Sequence, residues 1–436
     1  MDPITRGDGA RITAQAAPSQ LAMGKTAIQW CTHVLNFLRG CDAVSAGCAH
    51  CWAAATAVRF SQPGAAFDGL ARRKPLPSGR GSLAVWTDKP VQQIPDAMLE
   101  ALAGGAPRLV FVNSVSDTFH ADVPFEFIAA WWGFMAASKH TFQVVTKRAR
   151  RMREFFEWTV ANGGPDHWLR CALNLCDALE HKDARWKRAR ETLLVRYKAV
   201  TARAELTRGL PDMMALENVW LLVSTENQEN YDERVAELLQ CPAVVRGISA
   251  EPLLGPIELG LGQWIRQTKP VRGIQPGVYR AEPAGATVLV DNGHGGRAYL
   301  AAGEYEHLPD IDWAIIGGES GAGCRPNDLE WTRDMLAQIN AHNLDRTDFG
   351  LAAPFLKQLG GAALDREAGL VGALYPEPPK AERGWINTRL KDGHGGDETE
   401  FPADLQGYRH FPVPRTPTSA PRSPAGHAPG HRGLLL

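Results

Sequence analysis

Leu109-Val110-Phe111-Val112-Asn113-Ser114-Val115-Ser116-Asp117 joins four consecutive apolar residues to a polar cluster. A short run of branched and aromatic residues marks a strand buried on both faces, as in a parallel sheet. A helix-like stretch follows from Pro124 to Lys139, and then a second run, Thr141-Phe142-Gln143-Val144-Val145. The alternation continues outward. A helical pattern from Arg148 to Asn162 precedes Val219-Trp220-Leu221-Leu222-Val223, and the helix Asn230 to Leu239 precedes Val244-Val245-Arg246-Gly247-Ile248. Trp313-Ala314-Ile315-Ile316, a helix from Leu329 to Ala341 and the weaker strand Pro354-Phe355-Leu356 complete the series. Short strands spaced by helices predict βαβ units, an α/β fold and a parallel sheet. Two stretches break the rhythm. Residues 165–210 predict a helical, basic insertion, and residues 262–308, with alternating apolar residues and Gly/Pro turns, predict a small β insertion.

Each apolar run stops at polar residues. The first ends at Asn113 to Asp117, the second at Thr146-Lys147, and the third at Ser224-Thr225-Glu226-Asn227. The fourth reaches Ser249-Ala250-Glu251-Pro252 and the fifth Gly317-Gly318-Glu319-Ser320-Gly321. Parallel α/β folds gather the carboxyl ends of their strands at one face, where ligands bind. The simpler function of any one Ser, Thr, Asn or Asp here is to cap the next helix. Glu251 and Glu319 fit that role less well, because Pro252 follows the first and glycines surround the second.

The chain of 436 residues carries 47 Lys and Arg against 48 Asp and Glu, a formal net charge of −1. That balance excludes a chain that binds polyanions over its whole surface and leaves room for a local basic face. The helix at 185–203, with Lys187-Arg188-Ala189-Arg190, is where nucleic-acid contact is expected. No segment reaches the ~18 apolar residues of a membrane span, and the longest, Phe127 to Ala137, has eleven. The N-terminus lacks the apolar core of a secretory signal, so a cytoplasmic location and no membrane partner are expected. Residues 1–22 read as a disordered extension, with Met23 a candidate true start, and residues 411–436 as a disordered Pro/Arg-rich tail. The domain between them spans 23–410.

Eight cysteines are too few for a disulfide scaffold. Three lie in Gly40-Cys41-Asp42-Ala43-Val44-Ser45-Ala46-Gly47-Cys48-Ala49-His50-Cys51-Trp52. Cys48 and Cys51 form a C-x-x-C pair able to converge on one metal centre, and Cys41 returns across the loop. A structural zinc site wants four ligands, whereas a three-cysteine iron–sulfur cluster keeps one iron open. His33, His50 or Cys31 would supply the fourth zinc ligand. Cys171, Cys176, Cys241 and Cys324 read as packed free thiols.

Together these landmarks resemble a phage-associated family with features of the radical S-adenosylmethionine (SAM) superfamily. The likeness rests on Ile28-Gln29-Trp30, Asn36, Gly40-Cys41, Ser45-x-Gly-Cys-x-x-Cys and Phe111-Val112-Asn113-Ser114-x-Ser116-Asp117-x-Phe119-His120. It continues through Thr141-Phe142-Gln143-Val144-x-Thr146-Lys147-Arg148, Val219-Trp220-Leu221-x-Val223-Ser224-x-Glu226-Asn227-Gln228 and Glu251-Pro252-Leu253-Leu254-Gly255-Pro256. Gly317-Gly318-Glu319-Ser320-Gly321 and Phe355-x-Lys357-Gln358 complete it. The resemblance implies a partial (β/α) TIM-type barrel whose Cys41, Cys48 and Cys51 hold a [4Fe–4S] cluster. SAM on the open iron would be cleaved reductively to a 5′-deoxyadenosyl radical, with electrons from a partner such as flavodoxin or ferredoxin. Trp52 would pack beside the cluster. Ser114, Asp117, Lys147, Ser224, Glu226, Glu251 and Glu319 are the candidates for SAM or substrate contact. The substrate is expected among nucleic acids or nucleotides. Six residues separate the first two cysteines, against the three commonest in the superfamily. The competing expectation is a zinc-stabilised, non-catalytic module that binds nucleic acid or protein.

Overall fold

A computed structural model describes residues 23–76, 81–207, 214–271, 274–284, 287–291, 297–321, 323–344, 352–365, 386–387, 392 and 394–414. Of the expected disordered segments, all of 1–22 and residues 415–436 of the 411–436 tail lie outside the described residues.

The chain begins with β1 (Gly24–Lys25), β2 (His33–Leu35), β3 (Leu38–Arg39), α1 (Trp52–Arg59), the hairpin β4 (Ala71–Pro75) and β5 (Ser82–Trp86), and β6 (Gln92–Gln93). It continues through β7 (Leu109–Val112), α2 (Phe125–Ala136), β8 (Thr141–Thr146), α3 (Ala149–Ala161), α4 (Pro165–Leu179), α5 (Ala184–Thr207), β9 (Val219–Ser224), α6 (Gln228–Leu238) and β10 (Arg246–Ala250). Next come β11 (Trp264–Gln267), β12 (Val278–Ala284), β13 (Thr287–Asp291), β14 (Arg297–Ala301) and β15 (Tyr305–His307). Then follow β16 (Trp313–Gly317), β17 (Asn327–Asp328), α7 (Leu329–Leu344), β18 (Ala353–Gln358), β19 (Ala363–Asp365) and β20 (Ile386–Asn387).

The main sheet has the order β1-β2-β7-β8-β9-β10-β16-β18. Its last seven strands are parallel and follow chain order, and β1 adds antiparallel at the edge. The structure thus has a mixed, eight-stranded sheet, and its strand order alone does not make it the partial TIM-type barrel expected from the resemblance. Its free edge at β18 is covered by residues 408–410: Leu356 donates to Tyr408 O at 2.6 Å and His410 to Pro354 O at 3.0 Å.

Both faces of the sheet are buried, which is why its strands read as nearly continuous apolar runs. Val110, Val112, Phe142, Val144, Leu221, Val223, Ile248, Ala314 and Ile316 join the helices in the larger core. The opposite face forms a smaller cluster of Trp30, Trp220, Leu222, Trp313, Ile315 and Phe355. Its centre is Trp30, whose ring lies 4.6 Å from Phe111 of β7 and 6.2 Å from Trp313 of β16. In a flat sheet those two strands would stand four spacings, about 19 Å, apart. One indole reaches both, so the sheet is concave on this side.

α2 is apolar almost all round because it is buried all round, packed on α3, α4, α5 and the 3-10 helix Pro95–Leu102. No helix among the described residues is long and apolar enough to cross a membrane. Within 165–210 stand α4 and α5. Trp186, Ala189, Leu193 and Tyr197 of α5 are buried at helical spacing, while Arg185, Arg190 and Arg196 bond to Asp183, Asp177 and Leu102 O. Within 262–308 lies a five-stranded antiparallel sheet, β14-β13-β12-β11-β15. Phe411, placed in the tail by the sequence, packs 5.7 Å from Trp313 and 5.3 Å from Phe355.

Candidate functional site

The cysteine loop lies across the carboxyl-end rim of the main sheet, and successive strands grip successive loop residues. Asn113, just past β7, adopts a left-handed backbone (φ 55°) that Asn tolerates better than most side chains. Its Oδ1 accepts from the backbone N–H of Phe37 (3.1 Å) and Leu38 (3.2 Å), which fixes the approach to the loop. Gly40, at φ 95°, then turns the chain into Cys41.

Past β8, Arg148 binds Asp42 and Asp117, the latter at 3.0 Å, and its Nη1 stands 3.7 Å from Cys41 Sγ. Asp117 is a saturated hub. It also accepts from Thr146 Oγ1 (2.7 Å), Lys147 N (3.0 Å) and Phe119 N (2.9 Å). His120 Nε2 meets Asp42 at 2.6 Å from the other side.

Past β9, Glu226 is fully buried. It accepts from Ser45 Oγ, from Gly47 N at 3.1 Å and from Arg234 Nη1 at 2.8 Å. A Cβ on Gly47 would stand 2.7 Å from Glu226 Oε1, so only glycine lets the loop sit this low. Burial opposes ionisation of Glu226, but Lys147, Arg234 and the bonds from Ser45 and Gly47 outweigh it and hold the carboxyl below its usual range.

Past β16, Glu319 accepts from Arg325 N (2.8 Å), Nε (3.1 Å) and Nη2 (2.6 Å), and lies 3.1 Å from His50 Nδ1. Arg325 Nη1 reaches back to Ala46 O at 2.8 Å. Against the cost of burial, these contacts also hold the Glu319 carboxyl low.

Of the rim residues predicted from sequence, Asp117, Lys147, Glu226 and Glu319 are thus brought to the cysteine loop. The other three stand elsewhere. Ser114 Oγ donates to Asn36 at 3.2 Å, and Ser224 lies buried in register with Ser249, its carbonyl accepting from Arg234. Glu251 pairs with Lys357 Nζ at 2.8 Å. Arg148, Asp42, His120, Ser45, Arg234 and Arg325 complete the site beyond the residues the sequence marks; no periodicity marks Arg325, and its role shows only in three dimensions.

All eight cysteines are free. Burial, followed by Asp117, pushes Cys41 up to about 12 against the pull of Arg148. Burial likewise raises Cys51, although its Sγ accepts from Ala54 N at 3.4 Å at the start of α1. Cys48 and Cys51 border a cavity of about 230 Å³ that is also lined by Asp42, Ala54, Trp86 and Asp88. Trp52, expected beside the cysteines, is 59% exposed; the ring that lines the cavity with Cys48 and Cys51 is Trp86. Of the expected fourth zinc ligands, His33 Nδ1 bonds Thr32, Cys31 is buried in the concave core, and His50 Nδ1 stands 3.1 Å from Glu319.

A family model covers residues 25–367, over three quarters of the sequence, and is described as a protein of unknown function, DUF5131. The chain belongs to the DUF5131 family. The matched span contains the cysteine loop and every rim residue named above, so in DUF5131 terms the site lies wholly inside the family domain. No curated protein and no solved structure matches the chain.

As for a bound metal, the fit lies in the donors and their surroundings. Three soft thiols share one loop, and the Arg148 cation beside Cys41 and the helix N-terminus at Cys51 offset part of the burial that raises them. Among the described residues no three His, Cys, Asp or Glu side chains already stand in a metal-holding arrangement.

Proposed function

We propose that this protein is a radical-SAM-like iron–sulfur enzyme whose Cys41, Cys48 and Cys51 hold a [4Fe–4S] cluster above a partial (β/α) barrel. The carrying observation is the seating of the three-cysteine loop on the strand-end rim, clamped in chain order from β7, β8, β9 and β16. A zinc loop that only staples a fold needs no such placement; a loop serving chemistry at a sheet's ligand-binding face does. Seven sequential parallel strands around a concave core support the barrel reading.

When bound, such a cluster supplies one-electron reduction of SAM. The chain's own residues bind and orient. Arg148 places positive charge against the thiolates, and Glu226 and Glu319 hold the loop. Lys147, Glu251 and Lys357 remain on the rim to contact SAM or substrate. A flavodoxin- or ferredoxin-type donor in a reducing cytoplasm completes the requirement, with nucleic acid or a nucleotide as the substrate class.

Anaerobic reconstitution with iron and sulfide tests the proposal. A brown protein with broad visible absorption, bleached in Cys48→Ala, is expected, and reduction with SAM present should release 5′-deoxyadenosine. A colourless protein holding stoichiometric zinc overturns it.

A further inference from the structure

The β4–β5 hairpin and α1 carry a concentration of positive charge for which the cysteine site has no use. Residues 52–90 contain six Lys and Arg against two Asp and no Glu, in a chain of net charge −1. Arg72, Arg73 and Lys74 are consecutive and exposed on β4, and Arg59 is exposed at the end of α1. Among the described residues none of the four forms an ion pair with an acid. Strand geometry puts Arg72 and Lys74 on one face of the hairpin with Val85 and Leu83, and Arg73 on the other with Ala84.

α1 packs against both strands. It presents Trp52, 59% exposed, at its start and Phe60, 53% exposed, just past its end. Eight positions apart, the two rings stand about 80° apart around the helix axis and roughly 12 Å apart along it. Ala54 of α1 and Trp86 of β5 line the cavity beside Cys48 and Cys51, so the two elements that carry this surface also wall the cysteine site.

Cations that track a backbone, interleaved with exposed rings on which bases stack, are the chemistry of single-strand binding. A duplex offers the phosphates and hides the base faces. We propose that α1 and the β4–β5 hairpin bind single-stranded nucleic acid, with Arg59, Arg72, Arg73 and Lys74 on phosphates and Trp52 and Phe60 stacked on bases. The inference deepens the proposed function by naming a polymeric substrate, and it rests on that reading only for the chemistry after binding.

Fluorescence anisotropy of a labelled oligothymidylate with the full-length protein tests it. Affinity should fall with salt, and the triple variant Arg72→Ala/Arg73→Ala/Lys74→Ala should flatten the slope of log affinity against log salt by about 2, some 0.7 for each lost phosphate contact. Trp52→Ala and Phe60→Ala should each weaken binding about five-fold or more at fixed salt and leave the slope unchanged. Arg72→Lys/Arg73→Lys should retain the slope, and unchanged circular-dichroism melting should show that each variant is folded. A wild-type slope in the triple variant, wild-type affinity in both ring variants, equal affinity for duplex, or full competition by phosphatidylserine vesicles would each overturn the proposal. Binding is measured before and after iron loading. Intact binding by a protein that forms no cluster on iron loading sinks the enzyme reading alone, and a SAM-cleaving protein that ignores oligothymidylate sinks this one alone.

Discussion

Gly47 donates its backbone N–H to Glu226 Oε1 at 3.1 Å across 179 residues of sequence, while Arg234 holds the same carboxylate at 2.8 Å. The contact fixes the height of the cysteine loop over β9. In Gly47→Ala the new Cβ would stand 2.7 Å from Oε1 and 3.0 Å from Cδ of a carboxylate that cannot swing away. We expect a loss of about 1–3 kcal/mol by urea unfolding. Glu226→Ala should cost more, about 3–5 kcal/mol, because it leaves the buried Arg234 uncompensated. A cost under about 1 kcal/mol would show that the loop is held elsewhere.

The same carboxylates set an acid limit. Glu226 and Glu319 are held below the usual range when folded, so unfolding at low pH takes up protons that the folded state refuses. Their contribution is complete above the ordinary carboxylate value of about 4.3 and is lost as pH falls through the lower folded values. Urea midpoints should therefore be insensitive to these groups near neutrality and drop on acidification. Glu226→Gln/Glu319→Gln should be less stable at neutral pH and show a shallower acid fall. An unchanged acid limb would reject this assignment.

How much of this could be read beforehand differs from element to element. The strand at Val219–Ser224 is buried along its whole length, and its unbroken apolar run announces that. The strand placed at Val244–Ile248 lies instead at Arg246–Ala250; Val244 and Val245 pack into the concave core at its start, and Val245 O already accepts from Leu221 N of β9. β4 was invisible: Ala-Arg-Arg-Lys-Pro has no apolar alternation, and its strand state comes from pairing with β5. In the site, type and spacing pointed to Glu226 and Glu319. The partners that give them work, Ser45 and Arg325, lie 181 and 6 residues away and follow no period. Trp52 adjoins Cys51 in sequence yet faces solvent at the helix start, whereas Trp86 reaches the thiols through a hairpin.

Metal uptake should depend steeply on pH. Burial keeps Cys41, pushed up to about 12, and Cys51 protonated at neutral pH, and thiolate coordination must expel those protons. We expect at least two protons released per zinc ion used as a probe, and at least a hundred-fold gain in apparent affinity per pH unit near neutrality. Calorimetry in buffers of different ionisation enthalpy counts the protons. Arg148→Met removes the cation 3.7 Å from Cys41 Sγ and should weaken uptake at every pH. Proton release near zero would mean the thiols already stand ionised.

Glu251 and Lys357 pair at 2.8 Å beside Gly317, largely away from solvent and without a bond to the cysteine loop among the described residues. If the pair merely closes the β10 and β18 ends, its two charges matter only to each other. Lys357→Met then leaves a sheltered carboxylate alone and should cost about 2 kcal/mol or more, and Glu251→Gln leaves the ammonium alone at a similar cost. Glu251→Gln/Lys357→Met should recover most of that, with a coupling of about 0.5–3 kcal/mol. A rim pair that also contacts SAM gives a second signature. The double variant, stable again by urea unfolding, should still bind SAM more weakly than wild type in equilibrium dialysis of the iron-loaded protein. Recovered stability with wild-type SAM affinity would confine the pair to structure and remove Glu251 from the candidate ligands.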